Sequence, residues 1–285
     1  MSFARLTTRL IAGGATAALA TAGLVGMTST AANAAPVSSS YTCTTPFGPV
    51  TGTVSVDIAL LPPTAPAGFP VTAGLFSFNS NLVVSNATAS GLSGAGVTGA
   101  KSDDFGTAFG DTVAKAPVVW NGAPTSDGTN TTFAGKGANT AFELPKAGSY
   151  VVAMPKTFTL LATNASGATV VTAPCTTTAP ATIGNIVLSK QTATIKAKAT
   201  PKSAKKGSVV SVKGTVKNEF GQVVTGKVTV KDGKKTVGTA KVKKGKFTVK
   251  VKGLAAGSHS LTVSFKGDDY TDKGVSKATK VTITK

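Results

Sequence analysis

One histidine, two cysteines and eleven carboxylates are the side chains in this 285-residue sequence whose types most readily do chemistry. His259 would need a serine and an acid arranged around it to form a hydrolytic triad, and nothing local supplies them. Strand parity instead groups it with Leu261, Val263 and Phe265, in a structural position. Two separated cysteines and one histidine do not make a zinc site of the usual composition. Asp103, Asp104 and Asp111 crowd together in KSDDFGTAFGD, as do Asp268, Asp269 and Asp272 in GDDYTD. Neither stretch has the alternating acids, glycine and terminal glutamate of a calcium loop, so both read as solvated turn carboxylates. No catalytic residue, metal ligand or cofactor is expected. The alternative is a protein acting on envelope or extracellular polysaccharide, with its site in residues 38–180. Paired carboxylates there, such as Asp57 and Glu143, would have to meet across a cleft with one of them desolvated, and no motif points to them.

Lysine is the remaining charged type, and its placement is uneven. Residues 35–185 hold five lysines against six acids, a net of −1, whereas residues 186–285 hold 23 lysines against five acids, a net of +18. Such a step separates two units with different surfaces. Both arginines, Arg5 and Arg9, fall in the first ten residues. Specific nucleic-acid readout favours the planar arginine fork and stacking aromatic rings, so a partner of that kind is not expected. Weak, salt-sensitive attraction to polyanions needs only cations. The sole tryptophan, Trp120, closes the apolar run APVVW and reads as core rather than as a sugar-stacking platform.

The elements that must position these residues begin after residue 34. Residues 1–34 read as a secretory signal peptide: two arginines, a run of small and apolar residues from Leu10 to Met27, and the small residues Ala32 and Ala34 before the cut. No later segment is long and apolar enough to span a membrane, so the mature chain is expected to be secreted or extracellular, in association with the cell wall or free of it. In an exported chain an even cysteine count predicts a disulfide between Cys43 and Cys175. Free thiols or a metal pair are the alternative, and the absence of histidine from that half counts against the metal.

Residues 35–180 carry short strand-like runs, among them TGTVSVDIAL, GLFSFNSNLVV, APVVW, NTTFAG, SYVVAM and TFTLLAT, punctuated by Gly, Pro, Asn and Asp. The pattern predicts an all-β domain, a sandwich or a barrel with the sandwich preferred, with no helix and with the glycine-rich 90–102 as loop. Residues 181–189 read as a linker. In residues 190–285 the alternation is plain: Ile195, Ala197 and Ala199 against Lys196 and Lys198; Val210, Val212 and Val216 against Lys213 and Lys217; Phe247, Val249 and Val251 against Lys246, Lys250 and Lys252. Alternate side chains point to opposite faces of a strand, so valines share a dry face and lysines a wet one. Asp232-Gly233 predicts a type I′ hairpin. The count is about seven strands, the number of an immunoglobulin-like sandwich.

GSVVSVKGTV, GKVTVKDGKKTVGTAKVKKGKFTVKVKGLAAGSHSLTVSFKGDDYT and the closing VTITK resemble the bacterial Ig-like repeat domain of secreted and surface proteins, through Leu254, Gly257, His259, Leu261, Val263, Phe265, Gly267, Asp268 and Tyr270. That resemblance implies a spacer or adhesive module without chemistry. Tyr41, Cys43 and Pro46, with Pro174-Cys175, resemble the ends of an uncharacterised exported domain of high-GC Gram-positive bacteria. The expected partners are anionic cell-envelope polymers or another surface protein. The candidate contact face comprises Lys196, Lys198, Lys213, Lys217, Lys246, Lys250 and Lys252, the alternative being that these only confer solubility. A minor further expectation is a covalent Lys–Asn crosslink within 190–285, for which Asn218 is the one asparagine.

Overall fold

In the first unit, buried residues alternate along strand after strand, and the strands wrap around them. The computed structural model describes residues 36–58 and 61–285, so the signal peptide lies outside the described residues. Eight strands matter here: β1 (Val37–Thr45), β2 (Gly48–Ile58), β3 (Ser77–Ser85), β4 (Gly99–Ser102), β5 (Val118–Trp120), β6 (Asn130–Ala138), β7 (Thr157–Thr163) and β8 (Thr169–Thr176). Their order is β6-β3-β2-β1-β8-β7-β4-β5, and β5 pairs again with β6. Every one of these pairings is antiparallel, so the sheet closes into a barrel. The all-β expectation holds, and the sandwich expected here is refined to this closed wall.

Glycine permits the closure. Opposite Gly137 on β6 stand Phe78 of β3 on one side and Val118 of β5 on the other. A Cβ there would lie 2.3 Å from the Phe78 ring and 2.7 Å from the Pro117 carbonyl oxygen. At Gly135 it would lie 2.5 Å from the Val119 carbonyl oxygen. Larger residues would push β5 off β6 and leave two open edges, which sheets otherwise have to protect.

Inside the barrel, Tyr41, Phe105, Trp120 and Phe158 pack edge-on, with Tyr41 and Phe158 centred 4.9 Å apart. Trp120 is fully buried and donates from Nε1 to Ser80 Oγ at 3.0 Å. Tyr41 donates its hydroxyl to the Pro155 carbonyl at 2.7 Å. The Cys43–Cys175 disulfide joins β1 to β8. Between β3 and β4 runs a short helix, α1 (Asn86–Gly94), capped by Ser85, whose side chain accepts from Thr88 N. Of residues 90–102, expected as loop, only 95–98 are loop; the others belong to the end of α1 and to β4. The helix escapes a periodicity search because it has no apolar stripe and none of its residues is buried.

A second sheet orders Thr64–Pro66, Thr182–Ser189, Gly148–Ala153, Gly106–Phe109 and Thr112–Lys115. It covers a separate core that includes Phe109, Val152, Ile186 and Leu188. Residues 181–189 are thus mostly strand and not a linker. Ile186 and Leu188 are buried while Asn185 and Ser189 are exposed, a period of two that one strand beside a composition boundary conceals.

The C-terminal lobe has two sheets around one valine-rich core. Strands β9 (Thr194–Thr200), β10 (Val210–Lys217) and β13 (Lys246–Val251) form the first. The second contains β15 (Thr279–Thr284), β14 (Gly257–Phe265), β11 (Gly226–Asp232) and β12 (Lys235–Val242), with two short strands added. All seven expected strands are present. The β11–β12 hairpin turns on Gly233-Lys234, and of that pair only Gly233 has positive φ, at 55°. A type I′ turn needs both, so the turn follows the II′ pattern. Gln191 seals the join to the first unit: its Nε2 donates to Ala67 O at 2.5 Å and to Gln222 Oε1 at 2.6 Å, and its Oε1 accepts from Phe220 N at 3.2 Å.

Candidate functional site

The seven candidate lysines are all exposed, and six of them stand on one side of the three-stranded sheet. Cross-strand partners share a face, so register reveals the pattern. Thr194 faces Lys217. Next come Lys196, Thr215 and Lys246 in a row across β9, β10 and β13. Lys198, Lys213 and Thr248 form the following row, then Thr200, Ser211 and Lys250. Lys252 follows the end of β13 and is also exposed. The wet face is therefore built entirely of lysine, threonine and serine. Beneath it Ala199, Val212, Val216, Phe247, Val249 and Val251 are buried, and Gly214 leaves room for the Phe247 ring.

Charge on this face is uncompensated. The three strands contain no acid, and among the described residues none of the seven lysines forms an ion pair with a carboxylate. Lys198 and Lys213 stand directly opposite each other, an arrangement that costs stability in the isolated sheet. Rows repeat at about 7 Å along the strands and about 4.8 Å across them, which puts ammonium groups within reach of successive charges on an extended polyanion.

The other candidates are dispersed. Asp57 lies on β2 and Glu143 on a two-stranded ribbon, both exposed. Among the described residues no three His, Cys, Asp or Glu side chains gather as a metal site would require. Asp268 caps its own turn, accepting from Tyr270 N at 3.0 Å and Thr271 N at 2.7 Å, and takes a third bond from Thr225 N at 3.0 Å. Asp104, expected as a solvated turn carboxylate, instead ties β7 to the end of β4. It accepts from Thr159 N at 2.8 Å, Thr159 Oγ1 at 2.9 Å and Ser102 Oγ at 2.9 Å. Partial burial opposes its ionisation, but these bonds more than offset that and hold the carboxyl below its usual range.

His259 bridges two acceptors. Its Nε2 lies 2.8 Å from Ala255 O and its Nδ1 2.6 Å from Asp232 Oδ2. Only the doubly protonated ring donates to both, so first the carbonyl and then the carboxylate raise its pKa above the ordinary value. This is a clasp between a strand end and a loop; Ser260 joins it only through its backbone N, 3.4 Å from Asp232 Oδ1, and no serine hydroxyl takes part. Asn218 bonds Gln222 Oε1 at 2.9 Å and Thr271 Oγ1 at 3.4 Å through Nδ2; both partners are neutral and neither is a lysine.

Comparison with known proteins matches two family models to the chain. A family of unknown function, DUF6801, accounts for residues 40–184, and the bacterial Ig-like domain (group 3) accounts for residues 197–284. No curated protein matches. Among solved structures, the chain is similar to fibronectin(III)-like modules of Clostridium thermocellum CbhA at 13% identity and TM-score 0.29, over 81% of this chain and 94% of that one. A protein from Corynebacterium diphtheriae described as membrane anchored gives 17% identity and TM-score 0.34, over 88% of this chain and 59% of that one. The Yersinia pseudotuberculosis adhesin InvE gives 16% identity and TM-score 0.29, over 78% and 57%. At these TM-scores the likeness has no bearing on function.

Proposed function

The chain belongs to the family of unknown function DUF6801, with a bacterial Ig-like domain at its C-terminal side, and we propose that it is a non-enzymatic surface-associated protein held by its Ig-like lobe on anionic polymers of the cell envelope. One observation carries this reading. Lys198 opposes Lys213 within a face that has several further lysines and no carboxylate. A face serving solubility alone gains from mixing signs, because each opposed like pair destabilises the sheet. A surface that meets repeated negative charge gains from omitting them. The threonines between the lysines add hydroxyl donors to the same phosphate or carboxylate oxygens.

Lysine is a compact point charge that does not need the bidentate geometry of arginine, which suits a flexible polymer of low sequence content. With about four contacts, affinity for a polyanion falls roughly 50-fold between 50 and 200 mM salt, by analogy with single-stranded nucleic acid. The exposed carboxylates at Asp57 and Glu143 do not favour the polysaccharide-cleaving alternative, which needs one of them desolvated. The test is retention on isolated cell envelope and on immobilised polyphosphate at both salt concentrations. Replacing Lys196, Lys198, Lys213 and Lys250 with threonine should abolish retention at the lower salt. A control variant replaces Lys266, Lys273, Lys277 and Lys280 with threonine, the same change in charge away from this face. If the control loses retention equally, net charge and not the face is responsible, and the proposal fails.

A further inference from the structure

The barrel of the first unit is filled unevenly along its length. Tyr41, Phe78, Phe105, Trp120 and Phe158 pack together over one stretch of the interior. Towards the end covered by α1 the lining changes to glycine and small aliphatic residues: Gly52, Gly99, Ala100, Ala162 and Ala173. An eight-stranded barrel has an interior just wide enough for its side chains to fill, or to hold one small ligand when they do not. Here they do not. A cavity of about 50 Å³ remains, bounded also by Leu82, Val84, Phe133 and Leu160.

Its wall carries no free polar group. Thr45 brings the one hydroxyl, which is spent in donating to Gly48 O at 2.7 Å. A water needs two to four polar partners, and an apolar cavity without them stays dry and accepts hydrocarbon.

Two features bear on access. On α1, Leu92 alone reaches the lining, while the rest of the helix is Asn, Ala, Thr, Ser and Gly, and no residue of it is buried. In the wall of the same chamber, β1 and β8 pair only at Thr42↔Thr176 and Cys43↔Cys175. Past that point β1 continues to Thr45 without a partner on β8, where Pro174 has no N–H to offer. The disulfide thus sits where the wall stops being hydrogen-bonded, at the edge of the chamber it helps to line.

We propose that this end of the barrel binds the tip of a free, unbranched hydrocarbon chain, an acyl chain in the simplest case, admitted when Leu92 swings out on α1. The chamber at rest is about a third of the size of an apolar cavity that accepts benzene. Only the chain end therefore enters when Leu92 moves aside, and the polar head stays outside. A slender chain is selected because the neighbouring interior is blocked by the aromatic cluster.

The probe is cis-parinaric acid, a polyene fatty acid whose emission rises when its chain leaves water, titrated into the full exported protein. The expected result is a saturable rise at one equivalent. Ala162→Leu and Ala173→Leu, each filling the chamber, should weaken binding at least about ten-fold, a change worth about 1.4 kcal/mol. Leu92→Ala should strengthen it about five-fold, since the half-buried plug no longer has to be displaced. A rise that both filling variants leave unchanged would place the chain on the outer surface and overturn the site, as would no saturable rise at all. Trp120 emission reports whether the filled variants keep the barrel. If they do not, Leu92→Ala decides the matter, because Leu92 is only half-buried and no residue of its helix is fully buried, and an affinity equal to or weaker than the parent's overturns the proposal.

Discussion

Replacing both Cys43 and Cys175 with alanine should remove most of the stability of the first unit. The crosslink joins residues 132 apart in sequence. Chain-entropy arithmetic assigns closure of such a loop about 5 kcal/mol at 25 °C. Residual compactness of the unfolded chain lowers that figure, while the two buried sulfur atoms lost from the core raise it. We therefore expect a loss of about 4–5 kcal/mol. The structure makes this unit unusually dependent on the bond, because β1 and β8 share just two residue pairs, one of which is the cysteine pair itself. Every other seam around the barrel has three or more. Urea unfolding followed by tryptophan emission is the assay, since the single tryptophan lies in this barrel and is silent about the C-terminal lobe. With a denaturant slope of roughly 2.5 kcal/mol/M, the midpoint should move down by about 2 M. A shift below about 0.5 M at unchanged slope would refute the reasoning: the barrel would then be closed by its remaining strand pairs, with the crosslink redundant.

Three further outcomes follow from single sites. Asp104→Ala strands the donors of Ser102 and Thr159 and should cost about 1–3 kcal/mol at pH 7 by urea unfolding. Because the folded pKa lies below the unfolded one, the contribution is complete above about pH 4 and disappears as pH falls through the folded value, so parent and variant should converge in acid. For His259 the sign is opposite: its folded pKa is raised, so the clasp contributes fully below about pH 6.5 and is lost as pH rises through the folded value. The single imidazole should titrate in NMR above that reference, and Asp232→Asn should bring it down; an unmoved titration would contradict the pairing. Gly214→Ala places a Cβ 2.2 Å from the Lys196 carbonyl oxygen and 2.5 Å from the Phe247 ring. It should destabilise the Ig-like lobe by about 1–3 kcal/mol in thermal unfolding by circular dichroism, whereas Thr215→Ala on the outer face should stay within about 0.5 kcal/mol.

How much of this was legible in the sequence depended on whether a feature is local. The Ig-like lobe could be read strand by strand, because Val212, Val249 and Val263 each sit between polar neighbours and the period of two is a property of a few consecutive residues. The barrel could not. Its closure depends on Gly135 and Gly137 meeting β5 and β3 at once, and in the sequence those glycines look like ordinary interruptions of a weak strand. Asp104 was hidden for the same reason, since Thr159 lies 55 residues away. Thr182–Ser189 was hidden by its place next to the charge step, where a linker is the ordinary reading.

The lysine face lies between these cases. Parity alone puts Lys196, Lys198, Lys213, Lys217, Lys246 and Lys250 on one surface, and sliding β9 by two residues along β10 would leave the composition of that surface unchanged. It would change the neighbours: Lys198 would then face Thr215, and Lys196 would face Lys217. A slip of one residue would instead turn Ile195, Ala197 and Ala199 out to water and the lysines inward, which burial forbids. Hydrophobic patterning therefore guarantees a basic surface but is indifferent to which cations are adjacent. A polymer that is held by overall charge density would tolerate the two-residue slip. One that is held by spacing would not, and comparing Lys213→Thr with Lys217→Thr, equal in charge but different in neighbours, separates the two.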